Sequence, residues 1–128
     1  MVISLFLALV ATHFLVDFPL QGDFLARGKN HRAPLPGVPW AYCLMAHAAL
    51  CGAAVALCVH FLGATKAPMA ISFGFAEALI HAGTDLGKNE GVFGKGETGF
   101  LVDQALHILC KLTWAYLCGP NDTMGLWS

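Results

Sequence analysis

The chain has 128 residues, of which 57% are hydrophobic and only 12% charged, about half the charged share of an ordinary soluble domain at roughly 25%. Seven Lys+Arg stand against eight Asp+Glu, for a net charge of −1, and the mean hydropathy is +0.65. This excludes a disordered chain, which needs low hydrophobicity and high net charge, and a nucleic-acid binder, which needs a basic excess to neutralise phosphates; a single integral membrane domain remains.

Four apolar stretches are expected to be transmembrane helices, over residues 2–20, 40–62, 67–87 and 100–118. Each is close to the 20 or so residues that cross the hydrocarbon as a helix. The first reaches that length only if it continues through Phe18, Pro19 and Leu20. It lacks the basic leader of a signal peptide and carries His13 and Asp17 where a cleavage region would be bland. None of the stretches alternates apolar and polar residues as a barrel strand would. The fold class expected is all-α: a polytopic four-helix membrane bundle, built as two pseudo-symmetric hairpins.

The loops set the orientation. Arg27, Lys29 and Arg32 lie between the first two spans, and Lys88 and Lys95 between the last two. The link between spans two and three holds only Lys66. The positive-inside rule then puts the two basic loops in the cytoplasm and both termini outside the inner membrane. Asp23 and Arg27, four apart, read as a local surface pair. The five cysteines show neither a disulfide framework nor a zinc-ribbon spacing.

The informative residues are the polar ones inside the spans, each costing at least about 2.5–3.5 kcal/mol to insert when charged. His13 and Asp17, His81 and Asp85, and Asp103 and His107 are each four apart, so each pair shares a helix face. His47 adds a fourth imidazole from span two. The order is His then Asp in spans one and three, and Asp then His in span four, which runs the other way. At a rise of about 1.5 Å per residue, this puts the four histidines in one layer, with Asp17, Asp85 and Asp103 about one turn nearer the cytoplasm. Glu77 and Lys111 fall deeper, at matching depths, and are expected to form a structural ion pair.

Histidine and carboxylate on facing helices are the components of a metal site. The candidate ligands are His13, Asp17, His47, His81, Asp85, Asp103 and His107. Zinc is the first choice for mixed nitrogen and oxygen donors, with manganese or iron as alternatives. Seven donors exceed one tetrahedral ion and suit either two ions or one ion with outer carboxylates. Asp17, Asp85 or Asp103 could act as base, Gln21 and Gln104 could orient a ligand, and Lys29 and Lys88 could hold a phosphate headgroup. A shallow site of this kind suits hydrolysis of a lipid-like or amphiphilic substrate. Two rivals stand beside it: a small transporter or proton relay, and a non-enzymatic accessory protein that binds a membrane partner. A homo-oligomer fits any of the three.

His31 and His60 lie outside the layer. The stretch Gly91-Val92-Phe93-Gly94-Lys95-Gly96 lacks P-loop spacing and reads as a turn. Asn121-Asp122-Thr123 fits a glycosylation sequon.

The pattern His13-x-x-x-Asp17-Phe18-x-x-Gln21, Lys29, His47, His81-x-x-x-Asp85-x-x-Lys88, Asp103-Gln104-x-x-His107 resembles the bacterial and phage integral-membrane family known as domain of unknown function 3307. That family implies no activity. A more distant resemblance, to membrane-bound metal-dependent hydrolases with His-x-x-x-Asp helices, implies a hydrolase by analogy. The chain lacks a His-Glu-x-x-His motif.

Overall fold

The computed structural model describes residues 2–118. Among them the chain is all-helical, with five α-helices, one π-helical turn and no strand. The sequon at Asn121 lies outside the described residues.

Helix α1, Val2–Leu15, is an apolar run free of glycine and proline. Pro19 cannot donate to the carbonyl four residues back, and its ring crowds that carbonyl. The chain widens there into a π-helical turn, Val16–Leu20, and so carries the helical path on to Leu20. Such turns recur at functional sites because they re-aim side chains; this one holds Asp17. Helix α2, Gly22–Gly28, follows at once.

Helix α3, Trp40–Phe61, starts directly after the extended Pro39. Helix α4, Ala67–Glu90, has proline in its first turn, where the missing N–H would have no partner in any case. It ends on Gly91 in the left-handed conformation at φ 78°. The Val92 N–H closes back on the Gly87 carbonyl at 3.0 Å. The Gly91–Gly96 stretch is thus a helix stop and turn rather than a phosphate loop. Helix α5 runs Gly96–Cys118. Both α4 and α5 extend past the apolar spans at their basic-loop ends, by three and four residues, as their polar turns continue the helix.

The four long helices pack in a ring, with α1 against α3 and α5, and α4 against α3 and α5. Short connections make α3, α4 and α5 antiparallel in succession. Two segments, Val2–Leu20 and Trp40–Phe61, are long and apolar enough to cross a membrane. Exposure is inverted relative to a water-soluble bundle. Leu7, Leu57, Phe61, Ile71, Phe75, Leu101 and Leu109 point outward, while His47, Glu77, His81, Asp103, His107 and Lys111 are enclosed. An apolar cluster of Leu5, Leu9, Val55, Val59, Ala70, Trp114 and Ala115 fills the end of the bundle away from the basic loops.

Candidate metal centre

Each polar side chain reaches the bundle interior through its helix register. On α4, Glu77, His81 and Asp85 are successive inward positions one turn apart; on α5 the matching set is Asp103, His107 and Lys111. Helix α3 contributes His47 and Cys51, and the π-helical turn contributes Asp17.

The tightest convergence lies between α3, α4 and the π-helical turn. His47 and His81 turn their Nε2 atoms toward each other at 3.0 Å. Asp17 Oδ1 is 3.0 Å from His47 Nε2 and 3.5 Å from His81 Nε2. Cys51 Sγ is 3.5 Å from His81 Nε2 and 3.9 Å from His47 Nε2. Asp85 Oδ2 stands 3.8 Å from both nitrogens. Both imidazoles are fully enclosed.

Neutral imidazoles leave this arrangement short of protons. A bond between the two Nε2 atoms needs one protonated and one bare nitrogen, and Asp17 Oδ1 then has to share what remains. A cation suits all three donors at once. With Zn–N bonds of about 2.0–2.1 Å, the donors of a tetrahedral site lie about 3.3–3.4 Å apart, and a nitrogen–sulfur edge is about 3.5–3.6 Å. The five separations given among Asp17, His47, Cys51 and His81 match these to within about half an ångström, and all four donor atoms lie within 4.8 Å of one another. The donor set Asp17, His47, Cys51 and His81 therefore fits a divalent ion.

Supports stand behind the donors, as metal sites require. Glu77 Oε1 lies 3.6 Å from His81 Nδ1. Gln104 Nε2 donates to Asp17 Oδ2 at 2.9 Å and to Asp103 Oδ2 at 3.3 Å, while its Oε1 accepts from His13 Nε2 at 3.3 Å. His13 is thus turned toward Gln104, with its ring 5.1 Å from that of His107. The His81 and His107 rings are stacked at 4.1 Å. Below them, Lys111 Nζ meets Glu77 Oε1 at 2.5 Å, and Trp114 Nε1 donates to Glu77 Oε2 at 2.7 Å.

On the basic-loop side, Lys29 Nζ donates to Asp85 Oδ2 at 2.6 Å and Lys88 Nζ to Asp103 Oδ2 at 2.8 Å. Both ammonium groups, expected to face a phosphate, are engaged by carboxylates. Lys88 also lines an open cleft of about 430 Å³ with Arg32, Lys95, Glu90 and Phe100. Gln21 stands at the junction with α2, its enclosed Oε1 without a hydrogen-bond partner. His60 lies apart, bonding the Thr65 carbonyl through Nδ1 at 2.7 Å. His31 pairs with Glu90 outside the bundle.

Two participants escaped the sequence reading. Cys51 is four residues after His47, the same spacing that singled out the His–Asp pairs, and that spacing was the available signal. Trp114, three residues after Lys111, reads as an ordinary apolar residue.

A family model described as "Protein of unknown function (DUF3307)" matches residues 5–123, and the chain belongs to that family. No curated protein and no solved structure matches it, so the more distant hydrolase resemblance is not shown.

Proposed function

For this member of the DUF3307 family, we propose a multi-pass membrane metalloprotein that hydrolyses a membrane-associated substrate. In this reading α1 with its π-helical turn, α3, α4 and α5 all span the bilayer. Their outward Leu, Ile and Phe side chains meet lipid, and the buried polar groups are shielded from it. The basic loops face the cytoplasm and both termini face outward. The ring order, with α1 diagonal to α4 and α3 diagonal to α5, supports two hairpins related by a pseudo-two-fold.

The observation that carries the metal reading is the approach of His47 Nε2, His81 Nε2 and Asp17 Oδ1 to within 3.0–3.5 Å of one another at enclosed positions. Zinc is the ion that this nitrogen, oxygen and sulfur set favours, with manganese or iron as alternatives. A divalent ion held by three of these donors would supply Lewis acidity for attack by water. The remaining roles belong to the chain. Gln104 fixes Asp17, and the Glu77 carboxylate stands 3.6 Å from His81 Nδ1, where it favours a proton on that nitrogen. Asp103 Oδ1 and His107 Nε2, which lack hydrogen-bond partners, are placed to take a proton. The cleft beside Lys88, with Arg32 and Lys95 on its walls, suits the headgroup of an anionic amphiphile.

A proton-relay transporter has one observation in its favour: the polar groups form a column from Lys111 through Glu77, His81 and Asp17 to Asp85 and Lys29. The column runs into the apolar cluster around Leu5, Leu9, Val55 and Val59, whose described members include no carboxylate, imidazole or ammonium group. This favours a site open at one end.

The test is elemental mass spectrometry of the protein purified without chelator, beside His47→Ala, His81→Ala and, as a control, His60→Ala. One equivalent of metal in the wild type and the control, lost in the other two with helicity retained, is expected. A folded wild type without near-stoichiometric metal would overturn the reading; proton flux in liposomes, abolished by His81→Ala, would establish the rival.

A further inference from the structure

The Asp85 carboxylate faces two ways. Its Oδ2 accepts from Lys29 Nζ at 2.6 Å and stands 3.8 Å from the Nε2 atoms of His47 and His81. Its Oδ1 looks toward Lys88 Nζ, at 3.3 Å. The same ammonium lies 2.8 Å from Asp103 Oδ2. Asp103 Oδ1 is 3.5 Å from His107 Nε2. Neither that oxygen nor either nitrogen of the His107 ring has a hydrogen-bond partner, although both side chains are about 99% enclosed or more. Asp85, Asp103 and His107 can each direct one donor atom into a common space within 4.8 Å. Two carboxylates share the Lys88 ammonium, Lys29 holds the other oxygen of Asp85, and an unpartnered imidazole stands beside Asp103; this is an oxygen-rich cation site with Lys88 in it.

We propose that Asp85, Asp103 and His107 form a second divalent-cation site, that Asp85 bridges it to the His47–His81 centre, and that the Lys88 ammonium is its resident cation. Lys88 can leave. Its side chain is 28% exposed, it reaches inward from the wall of the open cleft, and its four-carbon stem is flexible. When the ammonium swings into the cleft, the three donors become available to an ion. Two carboxylates and one imidazole suit manganese, iron or magnesium better than the thiol-containing first set does. Lys88 thereby sets whether the centre holds one ion or two. The inference rests on the metal reading above, because the two sites share Asp85.

Manganese is the probe. Free Mn²⁺ is followed by electron paramagnetic resonance as it is titrated into the full-length protein in detergent. Lys88→Met is expected to bind one equivalent more than the wild type. Lys88→Arg, which keeps a cation in place, and the double variant Lys88→Met/Asp103→Asn should both return to the wild-type count. An unchanged count in Lys88→Met overturns the proposal, as does a wild type that already binds the extra ion. Lys88→Met that stays unfolded even in millimolar Mn²⁺ overturns it too, since the ion would replace the lost charge. Failure of the first reading is separable: it shows as a wild type without metal, whereas the difference between Lys88→Met and wild type decides this one.

Discussion

Gly52 of α3 and Gly74 of α4 touch backbone to backbone: a Cβ on Gly52 would stand 2.4 Å from the Gly74 carbonyl oxygen, and one on Gly74 would stand 2.6 Å from that of Gly52. Only hydrogen at both positions allows this approach, and small residues at helix contacts are how membrane helices come close. His47 lies five residues before the first glycine and His81 seven after the second. On antiparallel helices both therefore leave the contact in the same direction. Beyond the crossing, on that same side, their Nε2 atoms stand 3.0 Å apart.

Gly52→Ala should accordingly act on both stability and the centre. Overpacking of this kind costs about 1–3 kcal/mol, and spreading the helices should pull the imidazoles apart. A lower Tm in detergent together with weaker zinc binding is expected. Unchanged zinc affinity would show that the crossing does not position the histidines.

Cys51→Ala tests whether the thiol belongs to the donor set. Cys51 Sγ lies 3.5 Å from His81 Nε2, close enough to ligate alongside it. Loss of a thiolate ligand should weaken zinc by at least about ten-fold, the lower end of what even supporting residues contribute, and should leave manganese less affected. Competition with a chromophoric chelator reads both. Equal losses for the two metals would place the thiol outside the site.

Glu77 and Lys111 should prove strongly coupled. The pair is enclosed and further tied by Trp114. Removing one partner of a buried pair strands the other and costs about 3–5 kcal/mol. Glu77→Ala and Lys111→Met should each fall in that range, and the double variant should cost less than their sum. Thermal unfolding of the four proteins in detergent gives the cycle, and additive losses would mean the pair contributes no coupling.

Glu90, beyond the proposed span, joins α4 to the loop after α2. Hydrogen bonds from Arg32 and then His31 hold its carboxyl below the ordinary value of 4.5. A depressed carboxyl favours the folded contact above the unfolded value, and that contribution fades as pH falls through the lower native value. The tether should thus be intact at neutral pH and lost only in acid below about pH 4.5. Glu90→Gln at pH 7 should speed hydrogen exchange in residues 29–39 while leaving Tm nearly unchanged, because the pair is exposed. Unaltered exchange in that loop would show that the contact does not anchor it.

Helices and their inward faces were legible along the chain, because apolar length and the i, i+4 spacing of His13, Asp17, His81, Asp85, Asp103 and His107 are local properties. The helix-long reach to Leu20 was legible only as a condition. Pro19 argues against a continuous α-helix, and the π-helical turn that accommodates it depends on its surroundings. What tertiary structure decided was partnership. Spacing put four histidines in one layer and three aspartates about a turn nearer the cytoplasm, with nothing to say which would meet, whereas packing sorted them. It drew Asp17, His47, Cys51 and His81 together, turned His13 toward Gln104, and set Lys29 and Lys88 on Asp85 and Asp103. The physical reason is range. A residue's helix face follows from its neighbours four positions away, but which atoms meet across the bundle follows from how closely helices approach. Here that approach turns on the missing side chains of Gly52 and Gly74.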